Sequence, residues 1–138
     1  MTTATFYPVT KKAMLDAVCT GTIRIGLTKA AYNAAHDFYD DIKASTVGNA
    51  GSTTRGNLPA LGTPSTTGGV LDGDDTIVQN VPADTYTGIV AINDDGSADA
   101  TSRLLYFTDD AASGLPITTD GRDVLITWSN GAAKIGAI

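Results

Sequence analysis

The chain has 138 residues, a single cysteine and a formal net charge of −6, with 17% charged and 42% hydrophobic residues. That size suits one domain that buries its own core without disulfide staples. The acidity, with no basic run longer than Lys11-Lys12, argues against nucleic-acid binding through a basic surface, and no apolar run approaches the roughly 20 residues that cross a bilayer.

The opening "MTTATFYPVTKK" lacks a charged n-region followed by an apolar core, so no signal peptide is expected. Residues 1–7 read as a flexible segment. "PVTKKAMLDAVCTG" (Pro8 to Gly21) reads as a short helix. Thr10 is its expected cap, Met14, Leu15 and Val18 its apolar stripe, and Gly21 its stop. Cys19 has no disulfide partner within the chain, which fits synthesis in a reducing cytosol.

"TIRIGLT" (Thr22 to Thr28) alternates, with Ile23, Ile25 and Leu27 on one face and Thr22, Arg24, Gly26 and Thr28 on the other. That is a half-buried strand. "YNAAHDFYDD" (Tyr32 to Asp41) follows and contains the only histidine. We read it as an irregular turn or short helix, with Phe38 and Ile42 packed inward and Asp40 and Asp41 in water.

Residues 45–69 are rich in Gly, Ser, Thr and Pro, with a strand around Arg55 to Leu61 at best. So long an irregular stretch reads either as a solvated loop or as an arm ordered by a neighbouring subunit. A strand is expected near Thr76 to Val81. "TYTGIVAIND" (Thr85 to Asp94) is the strongest strand. Tyr86, Gly88, Val90 and Ile92 share one face and Ile89 and Ala91 the other, so it belongs in the middle of a sheet. "NDDGSADATS" is turn chemistry, and "RLLYFTD" (Arg103 to Asp109) is its expected antiparallel partner. "DVLITWS" (Asp123 to Ser129) is a last long strand, with Val124, Ile126 and Trp128 on one face. Asn130-Gly131 signals a tight turn, and "AAKIGAI" ends the chain as a short edge strand. The sum is a mostly β fold: one domain over 1–138, a small antiparallel β-sandwich or barrel with one short N-terminal helix.

No constellation for catalysis emerges. His36 lies beside Asp37, but adjacent side chains do not converge; only Asp40, four residues on, meets it if the segment is helical. No G-x-S-x-G nucleophile motif and no phosphate-binding Gly-rich loop is present. His36 therefore reads as a turn anchor. A zinc site needs more Cys and His than one of each. The Asp-rich turns 72–75 and 93–99 carry oxygen ligands of the kind calcium takes, but neither forms the twelve-residue loop with its terminal Glu. All fifteen acids are aspartates, and aspartate suits turns. These two stretches read as solvated turns, and no catalytic, cofactor or metal residue is assigned.

Four short motifs occur in order: "TIRIGL" followed by Tyr and "HDFYDDI", then "VLDGDDTIV", then "GIVAINDDGSADATSRLLYFTD", and last "GLPITTDGRDVLITWSNGAAKIGAI". From Met14 onward the chain resembles a family of small structural proteins of tailed bacteriophages. It departs from the family at Ser45 to Gly69 and at "CTGTIRIGL". The resemblance implies a non-enzymatic virion component made in the host bacterial cytoplasm. The first expectation is a capsid decoration (cement) protein on the outer surface of the head, a homo-oligomer such as a trimer bound to the major capsid protein. The alternative is a tail, neck or fibre protein, with a receptor- or glycan-binding role. Trp128, the sole tryptophan, reads as core rather than as a sugar platform.

Overall fold

The computed structural model describes residues 4–110, 114–129 and 135–137. One helix, α1 (Pro8–Val18), precedes ten strands. They are β1 (Thr22–Thr28), β2 (Thr46–Val47), β3 (Val70–Leu71), β4 (Thr76–Val78), β5 (Thr85–Tyr86), β6 (Gly88–Asp94), β7 (Arg103–Thr108), β8 (Ile117–Thr118), β9 (Val124–Ile126) and β10 (Gly136–Ala137).

Strands β2, β1, β6 and β7 form a four-stranded antiparallel sheet in that order. β6 is central, as its apolar residues on both faces require. Cross-strand register puts Ile25 beside Ala91 and Leu27 beside Ile89 on one face. It puts Arg24 beside Ile92 and Gly26 beside Val90 on the other. Three two-stranded antiparallel ladders complete the fold: β3 with β10, β4 with β9, and β5 with β8. Val78, Val124, Ile126 and Tyr86 from these ladders pack with Ile25, Leu27 and Ala91 of the sheet. The other face of the sheet is covered by Tyr39, Ile42 and Leu58 over Val90 and Ile92. A third cluster joins Leu15 of α1 to Ile23, Leu61 and Leu71. The fold is mostly β with one helix, and no barrel closes among the described residues.

Four details differ from the sequence reading. The helix starts at Pro8 itself, where a missing N–H is harmless, and Thr10 lies inside the first turn rather than capping it. Of the expected stripe only Leu15 is buried, because the helix touches the body along one narrow line; Met14 is 40% exposed. Tyr86 leaves the face of Val90 and Ile92, because the strand breaks at Thr87, whose N–H donates to Thr28 O at 3.0 Å. The last strand stops at Ile126, although Trp128 still packs inward. The expected tight turn at Asn130-Gly131 lies outside the described residues. The terminal strand β10 is paired to β3, with Gly136 opposite Leu71.

The largest difference concerns residues 45–69, which are neither a free arm nor a solvated loop. β6 lines one edge of β1, and this segment closes the other. Thr46 and Val47 pair with Thr28 and Leu27. Ala60 then bridges Arg24: the Ile25 N–H donates to Pro59 O at 2.9 Å and the Leu61 N–H to Ile23 O at 2.8 Å. Backbone groups of a buried strand need such partners. Leu58 and Leu61 are 1% and 5% exposed, so the segment also supplies core. The two passes touch at Gly48, where an added Cβ would lie 2.4 Å from Asn57 O and 2.6 Å from Leu58 Cα.

Gly48→Ala is therefore expected to destabilise the fold by about 1–3 kcal/mol through overpacking, and Leu58→Ala by about 2–5 kcal/mol through a cavity. Urea unfolding of the two variants checks both; unchanged midpoints would mean that this segment does not close the sheet.

Candidate functional site

The turn that follows β6 collects the densest set of charges. Asp94 ends the strand on the face that carries Arg24 and Ile92 and is only 7% exposed. Arg24 Nε donates to its Oδ2 at 2.6 Å, and Arg55 Nε donates to its Oδ1 at 2.6 Å. The Gly96 N–H adds a third bond to Oδ1 at 2.9 Å. Arg55 continues to Asp99 Oδ1 at 2.5 Å, and Lys43 Nζ reaches Asp99 Oδ2 at 2.6 Å. Arg24 Nη1 also donates to the Leu58 carbonyl at 3.0 Å. Each cation comes from a different element: Arg24 from β1, Lys43 from the turn before β2, and Arg55 from the short 3-10 turn Arg55–Asn57.

Burial raises the pKa of Asp94, but the Gly96 N–H and the two guanidinium groups outweigh it and hold the carboxyl below its ordinary value. Lys43 does the same for Asp99, against a smaller burial effect. Asp95 is held at about 2 by the Thr101 hydroxyl and the Ser97 N–H, with help from Ala98 and Ser102. The 93–99 turn is thus pinned at Asp94 and Asp99, while Asp95 to Ser97 between them are exposed to solvent. Its carboxylate oxygens face protein donors, which leaves no set of them converging on a cation.

The 72–75 stretch is held more lightly, with Asp74 and Asp75 exposed. Asp72 pairs through its backbone with Ser65. Asp74 Oδ2 accepts from Thr63 Oγ1 at 3.0 Å, and Asp75 Oδ1 accepts from the Trp128 N–H at 3.1 Å. Among the described residues no three His, Cys or Asp side chains gather into a metal site.

His36 is half-buried in a turn closed by its N–H to Asn33 O at 3.0 Å. Among the described residues its imidazole has no hydrogen bond to a hydroxyl, a thiol or a carboxylate. Tyr39, rather than Phe38, is the inward anchor of this stretch. It is fully buried and donates its hydroxyl to Thr53 O at 2.6 Å. The turn is 3-10 and not α-helical, which rotates the buried position by one residue. Phe38 is half-buried under the Arg103 guanidinium, 5.5 Å from the ring centre. Asp41 is exposed but bonded: it accepts from the Asp37 N–H at 2.8 Å and the Phe38 N–H at 3.2 Å, which lowers its pKa. Burial, and then the charge of Asp16, push the Cys19 thiol up, which keeps it a poor nucleophile.

Sequence reasoning missed Arg24, Arg55 and Lys43. The one available signal was an arginine, Arg55, alone in a segment otherwise free of charge from Ser45 to Leu71.

No family model, curated protein or solved structure matches the chain. No helix among the described residues is long and apolar enough to cross a membrane.

Removing one member of the junction leaves Asp94 short of a partner. Arg55→Met is expected to cost about 1–3 kcal/mol at neutral pH. The pKa values of Asp94 and Asp99 are lowered, so their contribution is complete above the ordinary 3.8 and fades as pH falls through the lowered values. The stability gap between wild type and Arg55→Met should therefore close in strong acid, as measured by urea unfolding across pH. A gap that is constant with pH would mean that the loss is packing alone.

Proposed function

We propose that the protein is a non-enzymatic structural component of a tailed-bacteriophage particle, a decoration protein that binds the major capsid protein on the outer surface of the head. The ordered series of motifs supports the family. The chemistry of the junction supports a structural role, because Arg24, Arg55, Lys43, Asp94 and Asp99 neutralise one another and tie three parts of the chain together. A part that holds a shell needs this kind of stiffness.

The observation that carries the reading is an apolar pair on the outside of the β4–β9 ladder. Ile77 and Leu125 are cross-strand partners, 50% and 62% exposed. Scattered apolar side chains on a surface are ordinary, but paired ones on a firm two-stranded ladder make a binding face. Their neighbours in the strands, Val78, Val124 and Ile126, point into the core and fix the ladder in place. Trp128 is half-buried and packs against two core clusters, which supports a core role over a sugar platform.

The test uses expanded capsids that lack decoration. Added protein should co-sediment with them in hundreds of copies per particle and protect them against heat and shear. An Ile77→Ser/Leu125→Ser double variant should fold normally and bind about tenfold or more weakly. Labelled protein that bound only to tails or necks would place it elsewhere in the particle.

A further inference from the structure

The charge of the chain is not spread evenly. Residues 72–80 and 120–128, which hold β4, β9 and the residues flanking them, contain five aspartates and one cation, Arg122. They carry a net −4 of the chain's −6. Elsewhere Asp16, Asp84, Asp94 and Asp99 each meet a lysine or an arginine. On this ladder Asp120 alone does so, at 3.3 Å from Arg122 Nε, and both side chains are exposed. Asp74, Asp75 and Asp123 are exposed and meet no cation among the described residues.

Two of these carboxylates share a face with the exposed apolar pair. Asp75 lies two positions before Ile77, and Asp123 two before Leu125. That spacing puts strand residues on one side. The core side is taken by Thr76, Val78, Val124 and Ile126, all buried. The antiparallel register, with Ile77 opposite Leu125, sets the two acids at opposite ends of the pair. Both carboxylates are anchored. Asp75 Oδ1 accepts from the Trp128 N–H at 3.1 Å, and Asp123 Oδ1 from the Asn80 N–H at 2.9 Å. Among the described residues neither Oδ2 meets a protein donor. A charge already held in place loses little freedom when a partner docks.

We infer that the Ile77–Leu125 face docks on a protein surface that offers apolar side chains ringed by lysine or arginine. The sign of the rim selects the partner. Nucleic acid and an anionic lipid surface are repelled, and so is the same face of a second copy, which carries the same charge. The acids steer the encounter, and the apolar pair holds the complex once water is expelled. The inference names the chemistry of the capsid surface in the decoration reading and rests on that reading.

Association and dissociation rates on immobilised expanded capsids test it. An Asp75→Asn/Asp123→Asn variant keeps an acceptor oxygen for each backbone N–H and removes two charges. Its circular dichroism spectrum and unfolding midpoint should match the wild type. Wild-type association should slow about tenfold as salt rises from low ionic strength to about 0.5 M, where exposed charges are screened. At low salt the Asn variant should associate about tenfold more slowly than wild type and lose most of the salt dependence, with dissociation nearly unchanged. The Ile77→Ser/Leu125→Ser variant should do the reverse, with faster dissociation and little change in association. Wild-type association that ignores salt, or an Asn variant as fast as wild type, would overturn the inference while capsid binding itself stands. No binding to capsids at any salt defeats the decoration reading. The same salt slope and Asn effect on isolated tails or necks would then uphold a basic, apolar partner, and their absence would overturn it.

Discussion

The open edge of β1 organises this fold. A strand buried on both faces cannot leave its N–H and C=O groups unpaired. β6 satisfies one side along the full length of β1. No regular strand of matching length exists for the other side, so the chain closes it in two passes, with Thr46–Val47 at one end and Pro59–Leu61 at the other. Much else follows from that arrangement. Gly26 must be glycine-sized because Thr46 and Leu58 sit directly over it, at 2.8 and 2.9 Å from an added Cβ. Leu58 becomes core, and Arg55 is carried to Asp94. The charged junction acts as the clasp of a segment that backbone pairing alone would hold at only a few points.

The regular part of the fold was legible in the sequence. Alternation marked β1 and β6, and apolar residues on both faces marked β6 as central. The 45–69 segment was not legible. Val47, Leu58 and Leu61 are too far apart to set up a period, and composition alone does not separate a solvated loop from a cover. What makes it a cover is contact with strands distant in the chain. The charged junction was hidden for the same reason: Arg55 and Asp94 lie 39 positions apart. Smaller errors were local. One turn of 3-10 geometry exchanged Phe38 for Tyr39, and a break at Thr87 moved Tyr86 to the opposite face.

The aspartates illustrate how little a list of acids says about chemistry. A histidine beside three aspartates, and two aspartate-rich turns, first invite an acid–base or metal reading. In the folded chain Asp41 pins its own turn, Asp75 holds the backbone of Trp128, and Asp94 and Asp99 face guanidinium and ammonium groups. The Ile77–Leu125 pair stays exposed on the outside of its ladder. Charge ties the parts of this molecule together.

The pairing of β1 with β6 also sets a clock. The Gly21 N–H bond to Asn93 Oδ1 spans 72 positions, so the middle of the sheet joins two halves of the chain. Long-range strand pairing of this kind slows folding, since a large loop must close before any contact rewards it. During synthesis β1 leaves the ribosome well before β6 exists. The nearer segment 46–61 emerges first and is the earliest cover available to it. The irregular passes that close one edge of the finished sheet would then also shelter a sticky strand while it waits for its main partner.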